Sequence, residues 1–146
     1  MEHLLALGKH TFLLEAPIEI LHEESLEWLE EIEFWKDEIT FFFRLMLTKN
    51  TQKPKTKMAL DIESQLIYLS SEKLDDLKLS VQSHERFLSE MIKTVKWLDE
   101  SVYRSKHRNL SKKFQLFEIE MKKLKTKIFQ LVENSSKEEF LLENTK

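Results

Sequence analysis

Large apolar residues recur along this chain at alternating steps of three and four, the spacing that keeps side chains on one face of an α-helix. Trp28, Ile32, Trp35, Ile39, Phe42 and Met46 form the clearest such stripe, with Ile18 and Leu21 extending it upstream and Ser25 as its only polar member. Pro17 suits the first helical position, where its missing N–H removes no bond, and Glu19 favours the positive end of the helix dipole. A first helix is therefore expected over about residues 17–49. Leu74, Leu77, Val81, His84, Leu88, Met91, Val95, Leu98 and Val102 carry the same alternation in a second stretch. Upstream of it Leu60, Leu66, Ile67 and Leu69 are spaced less regularly, and together they predict a helix over about 58–99. Tyr103, His107, Leu110, Phe114, Phe117, Met121, Leu124, Ile128 and Leu131 then form one seam, predicting a third helix over about 103–134.

What lies between these stretches sets the topology. The lysine-rich segment around Pro54 is long enough to reverse the chain, so the second helix should run antiparallel to the first. A second reversal is expected between Asp99 and Ser105, because unbroken helix from 58 to the end of the third stripe would exceed about 110 Å at 1.5 Å per residue. The expectation is an all-α fold: an elongated up-down-up three-helix bundle with coiled-coil-like packing. A break at Ser70 and Ser71 would make it a four-helix bundle instead. Residues 1–16 read as an apolar arm folding back on the bundle. In residues 135–146, Ser136 and Glu139 have the spacing of a capping box, which fits a short helix or a tail.

Composition narrows the chemistry. With one glycine, at position 8, there is no phosphate-binding glycine loop, and with no cysteine there is neither a thiolate metal site nor a cysteine nucleophile. The longest apolar runs fall far short of the roughly 20 residues that span a bilayer. The amino terminus fits a secretory signal poorly, which leads to an expectation of a cytoplasmic protein without a membrane partner. Charge is segregated: residues 19–38 carry nine acids against Lys36, and residues 104–127 carry nine bases against Glu118 and Glu120. Parallel first and third helices would set these runs side by side. Nucleic acid is not the expected partner, since the aromatic residues of the third stripe belong to the core seam and the chain is acidic overall.

Histidines are the remaining chemistry-bearing residues. With a first reversal near residue 53, His84 falls at the level of Glu23, close to His22 and Ser25; with a second near 103 it faces residues around Met121. A core histidine bonded to Ser25 or a glutamate is the main reading. The alternative is a single divalent metal ion on Glu19, His22 and His84, the first two sharing a helix face as an E-x-x-H pair. A diiron site would need a second such pair, and positions 81 and 104 hold valine and arginine. No catalytic residue or bound cofactor is predicted.

Phe34, Phe41, Phe43, Leu45 and Leu47 lie outside the main stripe of the first helix and form a candidate interaction patch, unless a wide core face near the loop covers them. The segments WLEEIEFWKDEITFF (28–42), HERFL (84–88) and HRNLSKKFQLFE (107–118) together resemble small helical Bacteroidetes proteins of unknown function, over residues 22–132. That resemblance implies a three-helix bundle and brings no activity, cofactor or catalytic residue with it. The functional expectation is a non-enzymatic module that binds a protein partner or a second copy of itself, with the metal-binding bundle as the other class.

Overall fold

The computed structural model describes residues 16–49, 55–94 and 100–144. All the secondary structure in these residues is helical: α1 (Ile18–Lys49), α2 (Lys57–Tyr68), a π-helical segment (Leu69–Leu74), α3 (Asp75–Thr94) and α4 (Glu100–Asn144). The class is an all-α helical bundle, as the stripes require. None of these helices is long and apolar enough to cross a membrane. The arm expected over residues 1–16 falls outside the described residues except for Ala16.

Local chemistry explains the helix ends that are described. The Pro17 carbonyl accepts from the amides of Ile20 and Leu21, opening α1. Thr56 caps α2, its hydroxyl accepting from the Ala59 amide at 3.1 Å. No break occurs at Ser70 and Ser71, so the four-helix alternative is not realised. Both hydroxyls donate to the Ile67 carbonyl, and the chain passes through them as π-helix into α3. The buried positions show why: Ala59, Ile62, Leu66 and Leu69 step by three and four, Leu69 to Leu74 is a step of five, and Leu77, Val81, His84 and Leu88 resume the alternation. One extra residue is absorbed by a wider turn, which keeps Leu69 and Leu74 both inside. Leu60 and Ile67, expected on this stripe, are exposed, and Ala59 and Ile62 take their place.

At the other end of the run, α3 stops at Thr94 and α4 has already begun at Glu100. Residues 100–105 therefore belong to α4 and do not hold the reversal expected between Asp99 and Ser105; Asp99 itself lies outside the described residues, and Val102, assigned to the second stripe, is an exposed residue of α4. Val95 and Leu98, assigned to the same stripe, lie outside the described residues, and Val102 fits their period in sequence although it belongs to α4. Helix α4 also continues unbroken through Ser136 to Asn144, so no separate terminal helix forms.

The described residues divide into two compact units. In the first, α1 residues 18–34 pack with α3 and with α4 residues 100–115. Leu21, Trp28, Ile32, Leu77, Val81, Leu88, Tyr103, Leu110 and Phe114 are buried there, Leu21 packing with Leu88 and Tyr103 and Trp28 with Phe114. Within this unit α1 and α3 are antiparallel, since His22 pairs with Glu85 and Glu33 with Lys78, whereas α1 and α4 are parallel, since Glu24 pairs with His107 and Trp28 stacks on Phe114. In the second unit Trp35, Ile39, Phe42 and Met46 of α1 are buried, as are Ile62, Leu66 and Leu69 of the central run and Phe117, Met121, Leu124 and Ile128 of α4. Here too α1 and α4 are parallel: Trp35 lies against Phe117, Phe42 against Phe129, and Glu38 pairs with Lys125 at 2.7 Å.

Candidate functional site

The core of the first unit is interrupted by polar side chains that bond to one another. Glu24 on α1 lies 2.8 Å from Nε2 of His107 on α4, and Nδ1 of His107 lies 2.9 Å from Nε2 of His84 on α3. The seam spacing that buries Trp28, Val81 and Leu110 necessarily buries these two imidazoles, because they occupy seam positions of their own helices. Both are almost fully enclosed, at 1% exposure for His107 and 6% for His84. The indole of Trp28 stacks on His107 with centroids 4.6 Å apart, fixing the plane of the ring whose two nitrogens make the bonds.

Donor and acceptor roles follow from the carboxylate, which when ionised only accepts, so Nε2 of His107 carries a hydrogen. A neutral His107 then accepts at Nδ1 from His84, and a cationic one donates to it. His84 itself is held down to about 4, first by burial and then by the nearby charges of His107 and Lys106. It is therefore neutral at physiological pH.

The residues singled out from the sequence are distributed as follows. His22 and His84 are not joined: His22 bonds with Glu85 at 2.9 Å, the residue at its predicted level, while His84 turns to His107. Ser25 donates to the Leu21 carbonyl and so is not the partner of His84, and Glu19 is exposed in the first turn of α1. Among the described residues no group of three histidine and acidic side chains is placed to hold a metal ion. His107 is the residue whose role the sequence reading missed. Placing the reversal near 103 put residues around Met121, four turns further along, opposite His84; matching the two seam histidines in level would have put it near residue 95.

Next to this chain an open groove of about 510 Å³ runs between α3 and α4, with His84 in its wall. Phe87, Leu79 and Leu110 supply its apolar surface, Ser80, Ser83 and Asn109 its neutral polar groups, and Lys106 and Lys113 its charges. The Lys106 ammonium sits 4.1 Å from the centroid of the Phe87 ring.

Of the interaction candidates on α1, Phe34 is exposed in the first unit, and in the second Phe41 and Leu47 are exposed while Phe43 and Leu45 are half-buried. At about 100° per residue, Phe41 and Leu45 flank one edge of the buried stripe and Phe43 and Leu47 the other, so they do not make one patch. Instead, Phe41 shares a surface with Phe129 of α4: both rings stand against the buried Phe42, Phe41 at 5.7 Å and Phe129 at 6.4 Å between centroids. No family model, no curated protein and no solved structure matches the chain, so its function is argued from this geometry.

Proposed function

We propose that this protein is a non-enzymatic helical module that assembles with a second copy of itself through the α1–α4 face of its second unit. The observation that carries the reading is the pair of phenylalanines on that face, Phe41 at 59% and Phe129 at 63% exposure. Each such ring buries roughly 150–250 Å² when covered, which makes aromatic side chains strong contributors to an interface.

Charge around the rings favours a second copy. Asp37 and Arg44 lie one turn to either side of Phe41 on α1, and Lys122 and Glu133 share the side of α4 that bears Phe129. The pairs Glu38–Lys125 and Phe42–Phe129 set the level of α1 against α4 at a difference of 87 residues. A two-fold axis parallel to the helices lays α1 of one copy on α4 of the other at that same level. Phe41 then meets the other copy's Phe129, Asp37 falls within two residues of its Lys122, and Arg44 within two residues of its Glu133. The contact is isologous, so each favourable pairing occurs twice.

Light scattering and sedimentation of the full chain test this. A dimer is expected, with Phe41→Glu and Phe129→Glu each giving a monomer whose helical circular dichroism is unchanged. Asp37→Lys should also dissociate it by opposing lysines twice, and Asp37→Lys with Lys122→Glu should restore it. A wild-type monomer at about 100 μM, some hundredfold above the Kd scale of moderate interfaces, or a dimer indifferent to these changes, would overturn the reading.

A further inference from the structure

The α3–α4 groove of the first unit differs from the self-association face in both shape and charge. Its volume, about 510 Å³, lies within the roughly 300–1,000 Å³ of small-molecule sites. Its only charged residues are Lys106 and Lys113, and no carboxylate lines it. Among the described residues neither lysine has an ion-pair partner. They stand seven residues apart, about 10 Å along α4, and their four-carbon stems are long and flexible enough to bring both ammonium groups to one head group. The neutral polar groups of the lining, the hydroxyls of Ser80 and Ser83 and the amide of Asn109, are all able to donate. The ring of Phe87 and the exposed side chain of Leu79 leave apolar surface beside these donors.

We propose that this groove binds a small organic anion, with its apolar body on Phe87 and Leu79 and its carboxylate or phosphate head between Lys106 and Lys113. Cations that have no carboxylate beside them, with hydroxyl and amide groups that can donate, select negative charge. The aromatic ring selects a ligand that is more than the charge, and placing Lys106 over that ring lets one flat ligand meet both. The depression of the second unit lined by Tyr68, Glu120, Lys123 and Lys127 makes a useful contrast. There a carboxylate stands among the lysines, which lessens the attraction for an anion.

Amide chemical-shift mapping of the nitrogen-15-labelled full chain tests the assignment with four probes: phenyl phosphate, benzoate, benzyl alcohol and inorganic phosphate. Saturable shifts confined to residues 79–87 and 106–113 are expected with phenyl phosphate or benzoate, and their ratio identifies the preferred head group. Lys106→Gln and Lys113→Gln should each weaken binding about five- to tenfold, and Lys123→Gln should leave it unchanged. Both substituted residues are exposed, so folding is not at stake. Equal response to benzyl alcohol, equal affinity for inorganic phosphate, shifts mapping elsewhere, or indifference to both lysine substitutions would overturn the proposal. Phe129→Glu should bind the same anion unchanged, which separates this outcome from that of the self-association reading.

Discussion

Nε2 of His84 and Nδ1 of His107 lie 2.9 Å apart in the core of the first unit, so one buried imidazole is the hydrogen-bond partner of another. Because His107 also meets Glu24, its replacement leaves the buried His84 and the half-buried Glu24 without their partner. His107→Leu should lower unfolding stability by about 2–4 kcal/mol, read from urea midpoints. His22→Gln breaks only the half-exposed pair with Glu85 and should lower it by less than about 1 kcal/mol.

A second prediction concerns pH. Folding pushes His84 from the ordinary 6.5 down to about 4, so between those values the unfolded chain binds more protons than the folded one at this site. The contribution of neutral His84 is complete above pH 6.5 and is lost as pH falls toward 4. The loss is of the order of 3 kcal/mol. Urea midpoints of the wild type should fall over this window more steeply than those of His84→Gln; parallel curves would show that His84 is not the group responsible.

The π-helical segment makes a third prediction, in the form of a deletion. Removing Glu72 turns the five-residue step between Leu69 and Leu74 into one of four and lets ordinary α-helix carry the same buried positions. This deletion should shift the melting temperature little or raise it, because the wider turn and its poorer hydrogen bonding are no longer needed. Deleting Ser83, between Val81 and His84, puts the following stripe out of phase and should abolish cooperative melting.

The stripes of α1 and α4 were legible because each carries a long series of large apolar residues at unvarying spacing, from Ile18 to Met46 and from Tyr103 to Ile128. Nearly all of them are buried. The central run was harder, since its extra residue makes Leu60 and Ile67 look like stripe members when Ala59 and Ile62 are the ones inside. A small side chain such as Ala59 leaves little trace in a hydrophobic pattern. The histidine chain was half legible: the level of His22 and Glu85 followed from the reversal expected around Pro54, a residue that interrupts helix. No glycine or proline separates α3 from α4 in the sequence, and the apolar period of the second stripe carries on to Val102, a residue of α4. The α3–α4 groove left no sequence signal, because it depends on which sides of two helices face each other.

The geometry around His107 also bears on the order in which the chain can fold. Its Nδ1 bonds to a residue 23 positions away, its Nε2 to one 83 positions away. Closing the longer loop costs about 1 kcal/mol more in chain entropy than closing the shorter. The imidazole pair can thus form in an α3–α4 hairpin before α1 arrives, and Glu24 joins it only when α1 docks. Trp28 travels on the same helix, so the moment its indole reaches the ring is also the moment the carboxylate does. A fluorescent side chain is in this way tied to the docking of α1 in the first unit.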